Sequence, residues 1–218
     1  MDKGLKLSLP RCVHIGPGTV RRLGEEVARL GERALLVTGR RALRESGTLD
    51  RVLALMGDAG ISVEVFDEVP PEPDLATVDR ARERLRGADC DVVIGLGGGS
   101  ALDAGKAAAA LADADEPTAV YHAGADVPAR GLPHIAVPTT AGTGSEATSN
   151  SVLIDPDGMV KKSLRGPTLL PDVCIVDAEL TLSCPPSVTA ASGMDALVQA
   201  IESYVSVHAV ATTEALSL

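Results

Sequence analysis

Short apolar runs of β character alternate along this chain with longer helix-like stretches, at the spacing of strand–helix–strand units. That rhythm points to an α/β fold with a parallel sheet wound on both faces, because parallel neighbours need a crossover that covers one face. Residues 5–9 and 11–15 flank Pro10 and read as an antiparallel opening pair. A helix over 19–30 leads to a strand at 34–38, and another helix runs to about Met56. Ile61, Val63 and Val65 alternate in the next strand. Leu75, Val78, Ala81 and Leu85 mark a helix, and the buried-type strand 91–95 follows it. A helix over 101–111 and short strands at 118–121, 134–137, 151–154 and 173–176 complete the expected unit, residues 1–184.

The pattern changes after Pro185-Pro186. From Ser187 onward it is helical only, with Met194, Leu197, Val198, Ile201, Tyr204 and Val205 on one apolar stripe. Residues 185–218 therefore read as the beginning of an all-helical domain, and so broad a stripe needs partners to bury it.

With no Trp, two Tyr and one Phe, the core must be built from Val, Leu, Ile and Ala. The formal net charge of −10 makes nucleic acid and anionic membrane poor partners, so a phosphate-bearing ligand must be held locally by backbone N–H groups and a few cations. Cys12, Cys90, Cys174 and Cys184 share no CxxC spacing and read as packed free thiols of a cytoplasmic protein, not as a disulfide set or a zinc knuckle. The N-terminus carries no apolar signal core, and no apolar run is long enough to span a bilayer.

Two loops carry the chemistry. Gly97, Gly98, Gly99 and Ser100 end a strand and open a helix, leaving the main chain bare where a pyrophosphate would approach the positive end of the helix dipole. Lys106 lies within two turns of that helix start, in reach of a ribose or phosphate, and Asp103 could orient a cofactor or substrate group. The plainer alternative is a tight turn with Ser100 as N-cap and Asp103 completing a capping box. The spacing is not that of the GxGxxG dinucleotide fingerprint, which follows the first strand of its unit. Further on, Thr139, Thr140, Thr143 and Ser145 put hydroxyls on a glycine-broken loop after a strand, where an open α/β sheet binds ligands. A turn capping its own backbone is the alternative there.

Gly97-Gly-Gly-Ser-x-x-Asp-x-x-Lys106, Pro138-Thr-Thr-Ala-Gly-Thr-Gly-Ser-Glu146 and Gly193-Met-Asp-Ala-Leu197 together resemble the iron-containing (group III) alcohol dehydrogenases, relatives of glycerol dehydrogenase and dehydroquinate synthase. The resemblance implies a dinucleotide domain, a helical domain, and a divalent metal between them, usually Fe²⁺ and sometimes Zn²⁺. The reaction it implies is reversible hydride transfer between an alcohol and NAD(P)⁺, with an aldehyde or ketone as product, in a homo-oligomer such as a dimer. It places Gly98, Gly99, Ser100 and Asp103 on the pyrophosphate and nicotinamide side. Thr139, Thr140, Thr143, Thr148, Asn150 and Lys161 would line the cofactor groove.

Where that family often carries an Asp for the adenosine ribose diol, this chain has Gly39, followed by Arg40 and Arg41. Loss of the carboxylate removes a repulsion toward a 2′-phosphate, so NADP is favoured over NAD. The alternative is that the two arginines only solvate a helix start. The resemblance also implies metal ligation, and hence a catalytic role, for Asp195, with a His one turn later. That position is Gln199, a weaker ligand than imidazole. A capping box of Ser192 with Asp195 is the competing reading. Family members are nearly twice this length, so the remaining ligands are expected beyond Leu218 and the 218-residue chain is expected to show no turnover by itself. Two alternatives to the metal-assisted enzyme stand beside it: a non-catalytic dinucleotide-binding module, and a metal-independent reductase of the same fold.

Overall fold

The computed structural model describes residues 7–218. Strand β1 (Cys12–Ile15) is followed by a short 3₁₀ turn (Thr19–Arg22) and α1 (Leu23–Ala28). Then come β2 (Arg33–Gly39), α2 (Ala42–Glu45), α3 (Thr48–Asp58), β3 (Ser62–Val69), α4 (Leu75–Gly87) and β4 (Val92–Gly97). The chain continues through α5 (Gly99–Ala110), α6 (Thr118–Ala123), β5 (His134–Pro138), β6 (Asn150–Asp155), β7 (Val160–Arg165) and β8 (Val173–Val176). Two helices close it, α7 (Pro186–Val205) and α8 (Ala211–Leu216).

Six strands form one all-parallel sheet in the order β1-β8-β5-β4-β2-β3, while β6 and β7 pair antiparallel as a separate hairpin. From β2 the chain adds β3 on one side, then crosses back to place β4 on the other. The order reverses between β2 and β4, and the carboxyl ends of those strands frame a crevice, the usual ligand position in such sheets.

The strands bury both faces. Ala34, Leu36, Val92, Ile94 and Ile135 pack against Leu23, Val27, Val52 and Met56 on one side. Leu35, Val37 and Val93 pack against Phe66, Ala81, Leu85, Ala104 and Ala108 on the other. Successive residues thus alternate between two dry layers, which explains the near-continuous apolar runs. Helix α5 is buried along nearly its whole length, because Ala107, Ala110 and Leu111 also meet Leu153, Leu164 and Leu169 from the hairpin and the loop after it. A helix packed on opposite faces needs small residues, and the alanine run supplies them. Gly95 and Gly105 let α5 settle on β4: a Cβ on Gly105 would stand 3.3 Å from the Gly95 Cα.

Several expectations change. The opening pair is not antiparallel: β1 runs parallel to β8, residues 7–10 form no strand, and residues 5 and 6 lie outside the described residues. Residues 118–121, expected as a strand, form helix α6. The Asp79 carboxylate on α4 accepts from the Thr118 N–H at 3.0 Å and its hydroxyl at 2.7 Å, a cap supplied by tertiary structure. The helix expected up to Met56 is broken at Gly47, whose φ of 72° ends α2 and starts α3. Strand 151–154 forms as β6 but belongs to the hairpin, whose partner β7 was not anticipated. Its turn is signalled by Asp155-Pro-Asp-Gly158, where the Asp155 carboxylate accepts from the N–H groups of Asp157 and Gly158. Among the described residues no helix is long and apolar enough to cross a membrane.

His134 starts β5 with its ring wedged against Gly95 and Gly105, and neither ring nitrogen has a hydrogen-bond partner. Burial, and secondarily the Lys106 charge, push its pKa down to about 3. The unfolded chain takes up this proton near its ordinary value of about 6.5, so stability falls as pH drops from there toward 3. Moving from about pH 7.5 to about pH 5 therefore costs roughly 2 kcal/mol through this group alone. Urea denaturation of His134→Leu at both pH values should show a pH-dependent loss smaller by that amount; equal losses in both proteins would contradict it.

Candidate functional site

The two loops picked out in the sequence lie side by side at the carboxyl edge of the sheet. Gly97 ends β4 with φ of 148°, a conformation open to glycine, and Gly98 takes the N-cap position of α5 without any side-chain cap. The first-turn N–H groups of α5 therefore have no side chain of their own serving them. Ser100 is not the N-cap: it sits inside the first turn, and its hydroxyl accepts from the Glu72 N–H at 3.1 Å.

The hydroxyl loop packs directly on this turn. A Cβ on Gly99 would lie 2.8 Å from the Thr143 Cγ2, and one on Gly98 3.4 Å from the Thr140 side chain. Glycine is needed here for loop-on-loop contact as well as for room for a ligand.

Two hollows meet at Ser100. The larger, about 1010 Å³, runs from Gly97, Gly98 and Thr139 past Gly39 and Arg40 to Pro70, with Val188 of α7 on its rim. The second, about 580 Å³, lies beyond Gly99 and collects Asp103, Thr143, Thr148, Asn150 and Lys161. Twelve of the thirteen residues proposed for the cofactor thus border one continuous trough, while Thr140 only backs Gly98. The size and the bare helix start suit an extended molecule carrying phosphates.

Asp103 and Lys106 are engaged with groups of the protein itself. One Asp103 oxygen accepts from the Ser145 hydroxyl at 2.6 Å and pairs with Lys106 at 3.3 Å; the other accepts from the Val152 N–H at 3.0 Å. Asp103 is therefore not the partner in a capping box. The Lys106 ammonium is wholly buried, donating to the carbonyls of Ser145, Thr148 and Asn150 and to the Thr148 hydroxyl. Burial pulls its pKa down, and Asp103 opposes that. In this position it holds the loop.

Glu72 was missed by sequence reading. It stands between Pro71 and Pro73 with φ of 56°, its N–H bonded to Ser100 and its carboxylate paired with Lys161. The two prolines flanking an acidic residue were the available signal.

Of the two residues expected to hold a metal, Asp195 lies apart from this trough and Gln199 on its border. Asp195 is exposed on α7 and lines neither hollow. Gln199 borders the second, where its amide nitrogen donates to the Gly142 carbonyl at 3.1 Å and ties α7 to the hydroxyl loop. α7 begins at Pro186, so Ser192 and Asp195 fall in its interior and make no capping box. Asp195 and Gln199 offer one carboxylate and one amide, short of the three protein ligands usual for a catalytic centre, and among the described residues no third ligand joins them. They do not fit a complete metal site.

The sequence matches the family described as iron-containing alcohol dehydrogenase over residues 10–178. It is 43% identical over 216 residues to the long-chain-alcohol dehydrogenase 1 of Geobacillus thermodenitrificans, covering 98% of this chain and 54% of that protein. The structure is similar to that of a 1,3-propanediol oxidoreductase, with a TM-score of 0.93 and 36% identity, over 99% of this chain and 56% of the other. It is also similar to the sulfoacetaldehyde reductase of Bifidobacterium kashiwanohense in complex with NAD⁺, with a TM-score of 0.84 and 37% identity, over 92% and 54% of the two chains. The chain spans about half the length of the curated relatives it matches. Parallel sheet, paired loops and sequence agree, and the chain belongs to the iron-containing alcohol dehydrogenase family.

Proposed function

We propose that this chain is the dinucleotide-binding portion of an oxidoreductase that interconverts an alcohol and its aldehyde or ketone, with NADP(H) favoured over NAD(H). The observation that carries the reading is the uncapped start of α5 beneath Gly97–Ser100, opening into a trough that runs to Gly39 and Arg40. A bound nicotinamide dinucleotide would supply the hydride. The first-turn amides of α5 receive its pyrophosphate, and the hydroxyls of Thr139, Thr143 and Thr148 bond to ribose and phosphate without adding charge. Residues 185–218 open a helical unit, which the wholly unburied α7 supports. Since Asp195 and Gln199 do not complete a metal site, no step is assigned to a metal here. The Gln199 bond to Gly142 supports a second reading, a metal-independent reductase, in which this amide holds the loop. Full activity after exhaustive chelation of an intact enzyme carrying this chain would favour it.

Gly39 is the selectivity position. A Cβ there would meet only the Val69 carbonyl, at 3.8 Å, so a side chain fits without strain. Gly39→Asp should add an acceptor for a ribose diol and repel a 2′-phosphate, moving the NADPH-to-NADH affinity ratio at least tenfold toward NADH, about 1.4 kcal/mol. Calorimetric titration with both cofactors measures it. A ratio unmoved by the substitution would remove the basis for NADP(H).

Gly99→Ala tests the contact between loops. The new methyl overlaps Thr143, and overpacking of this kind typically costs about 1–3 kcal/mol. Both thermal stability and dinucleotide affinity should fall, and adding Thr143→Ser, which removes the clashing Cγ2 and keeps the hydroxyl, should restore much of each. Loss of affinity that Thr143→Ser leaves unrelieved would mean the methyl blocks the ligand directly.

A further inference from the structure

Cys12, His14 and Glu26 line neither part of the trough. Cys12 and His14 are two apart on edge strand β1, so the pleat turns both toward α1, while Val13 and Ile15 face solvent. Glu26 comes from the buried face of α1. The Cys12 Sγ is 3.4 Å from the His14 Nε2, which is 2.9 Å from the Glu26 Oε1, and all three ligand atoms lie within 4.8 Å of one another.

We propose that these three side chains form a binding site for a zinc-type divalent cation, clamping β1 to α1. The geometry is close to what such an ion requires. Bonds of roughly 2.3 Å to sulfur and 2.0–2.2 Å to nitrogen and oxygen, at tetrahedral angles, separate ligand atoms by about 3.4–3.6 Å. The Cys–His pair already stands at that separation, and the His–Glu pair needs to open by about half an ångström. Thiolate, imidazole and carboxylate from a strand and a helix make a mixed set that selects zinc over magnesium or calcium. Thiolate and carboxylate together carry the two negative charges that balance a divalent cation. Arg29, just past α1, donates to the same Glu26 oxygen at 2.9 Å and also pairs with Glu25, so the metal takes over the oxygen that Arg29 shares. Binding releases the Cys12 thiol proton and leaves one coordination position to water.

Co²⁺ is the probe, because a thiolate ligand gives it a charge-transfer absorption that Asp195 and Gln199, which carry no sulfur, cannot produce. Titrating the folded 218-residue chain should give that band with one equivalent of metal, and Zn²⁺ should displace it. The band should vanish in Cys12→Ala, and the apparent affinity should drop at least tenfold in His14→Ala. In case a substitution unfolds the chain, iodoacetamide labelling of the unaltered protein gives a second readout. Zn²⁺ should protect Cys12 at least tenfold, with sites read by mass spectrometry. Absence of a thiolate band, a band that survives Cys12→Ala, or labelling of Cys12 indifferent to Zn²⁺ would each overturn the proposal.

Discussion

The face that carries the glycine turn and the hydroxyl loop depends on where one buried ammonium group goes. Lys106 sits on the second turn of α5 with no exposure to water, a position that an unpaired cation could not hold. Its partners are the Asp103 carboxylate one turn earlier and a cage of carbonyls from Ser145, Thr148 and Asn150. The carbonyls of Ser145 and Thr148 belong to the loop after β5 and that of Asn150 opens β6, so the charge that α5 buries fixes the path of the hydroxyl loop. Asp103 does the same for β6, through Val152. Leaving either partner of such a pair alone typically costs about 3–5 kcal/mol. The loop position is therefore a consequence of core electrostatics, set before any ligand arrives.

That arrangement explains why both loops are rich in glycine. The turn Gly97–Ser100 and the loop Thr139–Ser145 press on each other, with Gly99 against Thr143 and Gly98 against Thr140. On the other side Gly142 meets α7 at Ser192 and accepts from Gln199. Three of the segments that wall the trough, the start of α5, the loop after β5 and α7, thus hold one another in place. Preorganised amides at a helix start bind phosphate without the net positive charge that this acidic chain lacks.

Much of this was legible in the sequence, for identifiable reasons. The strands at 34–38, 134–137 and 173–176 are buried on both faces, so their composition alone marks them. The glycine turn and the threonine loop announced themselves through residue types that serve few other purposes. What could not be read was decided at long range. Residues 118–121 carry a β-branched and aromatic run, yet Asp79, 39 positions away, caps them into a helix. Lys106 has the chemistry of a phosphate ligand, and only the fold shows that its side chain points into the core. Strand β7 holds two lysines and an arginine among few apolar residues, and Leu164 alone anchors it firmly. Cys12, His14 and Glu26 are separated by too few ordinary spacing signals to be grouped before β1 and α1 are docked.

The central claim is that a nicotinamide dinucleotide lies across both loops, its pyrophosphate at the start of α5. Amide chemical-shift mapping on the isotope-labelled chain during titration with NADP⁺ tests it most directly. The account predicts saturable shifts concentrated at Gly97, Gly98, Gly99 and Ser100, with a second group at Thr139 and Thr143 and a third near Gly39 and Arg40. Saturable shifts confined to another part of the molecule, or none at all on a folded sample at millimolar NADP⁺, would contradict it.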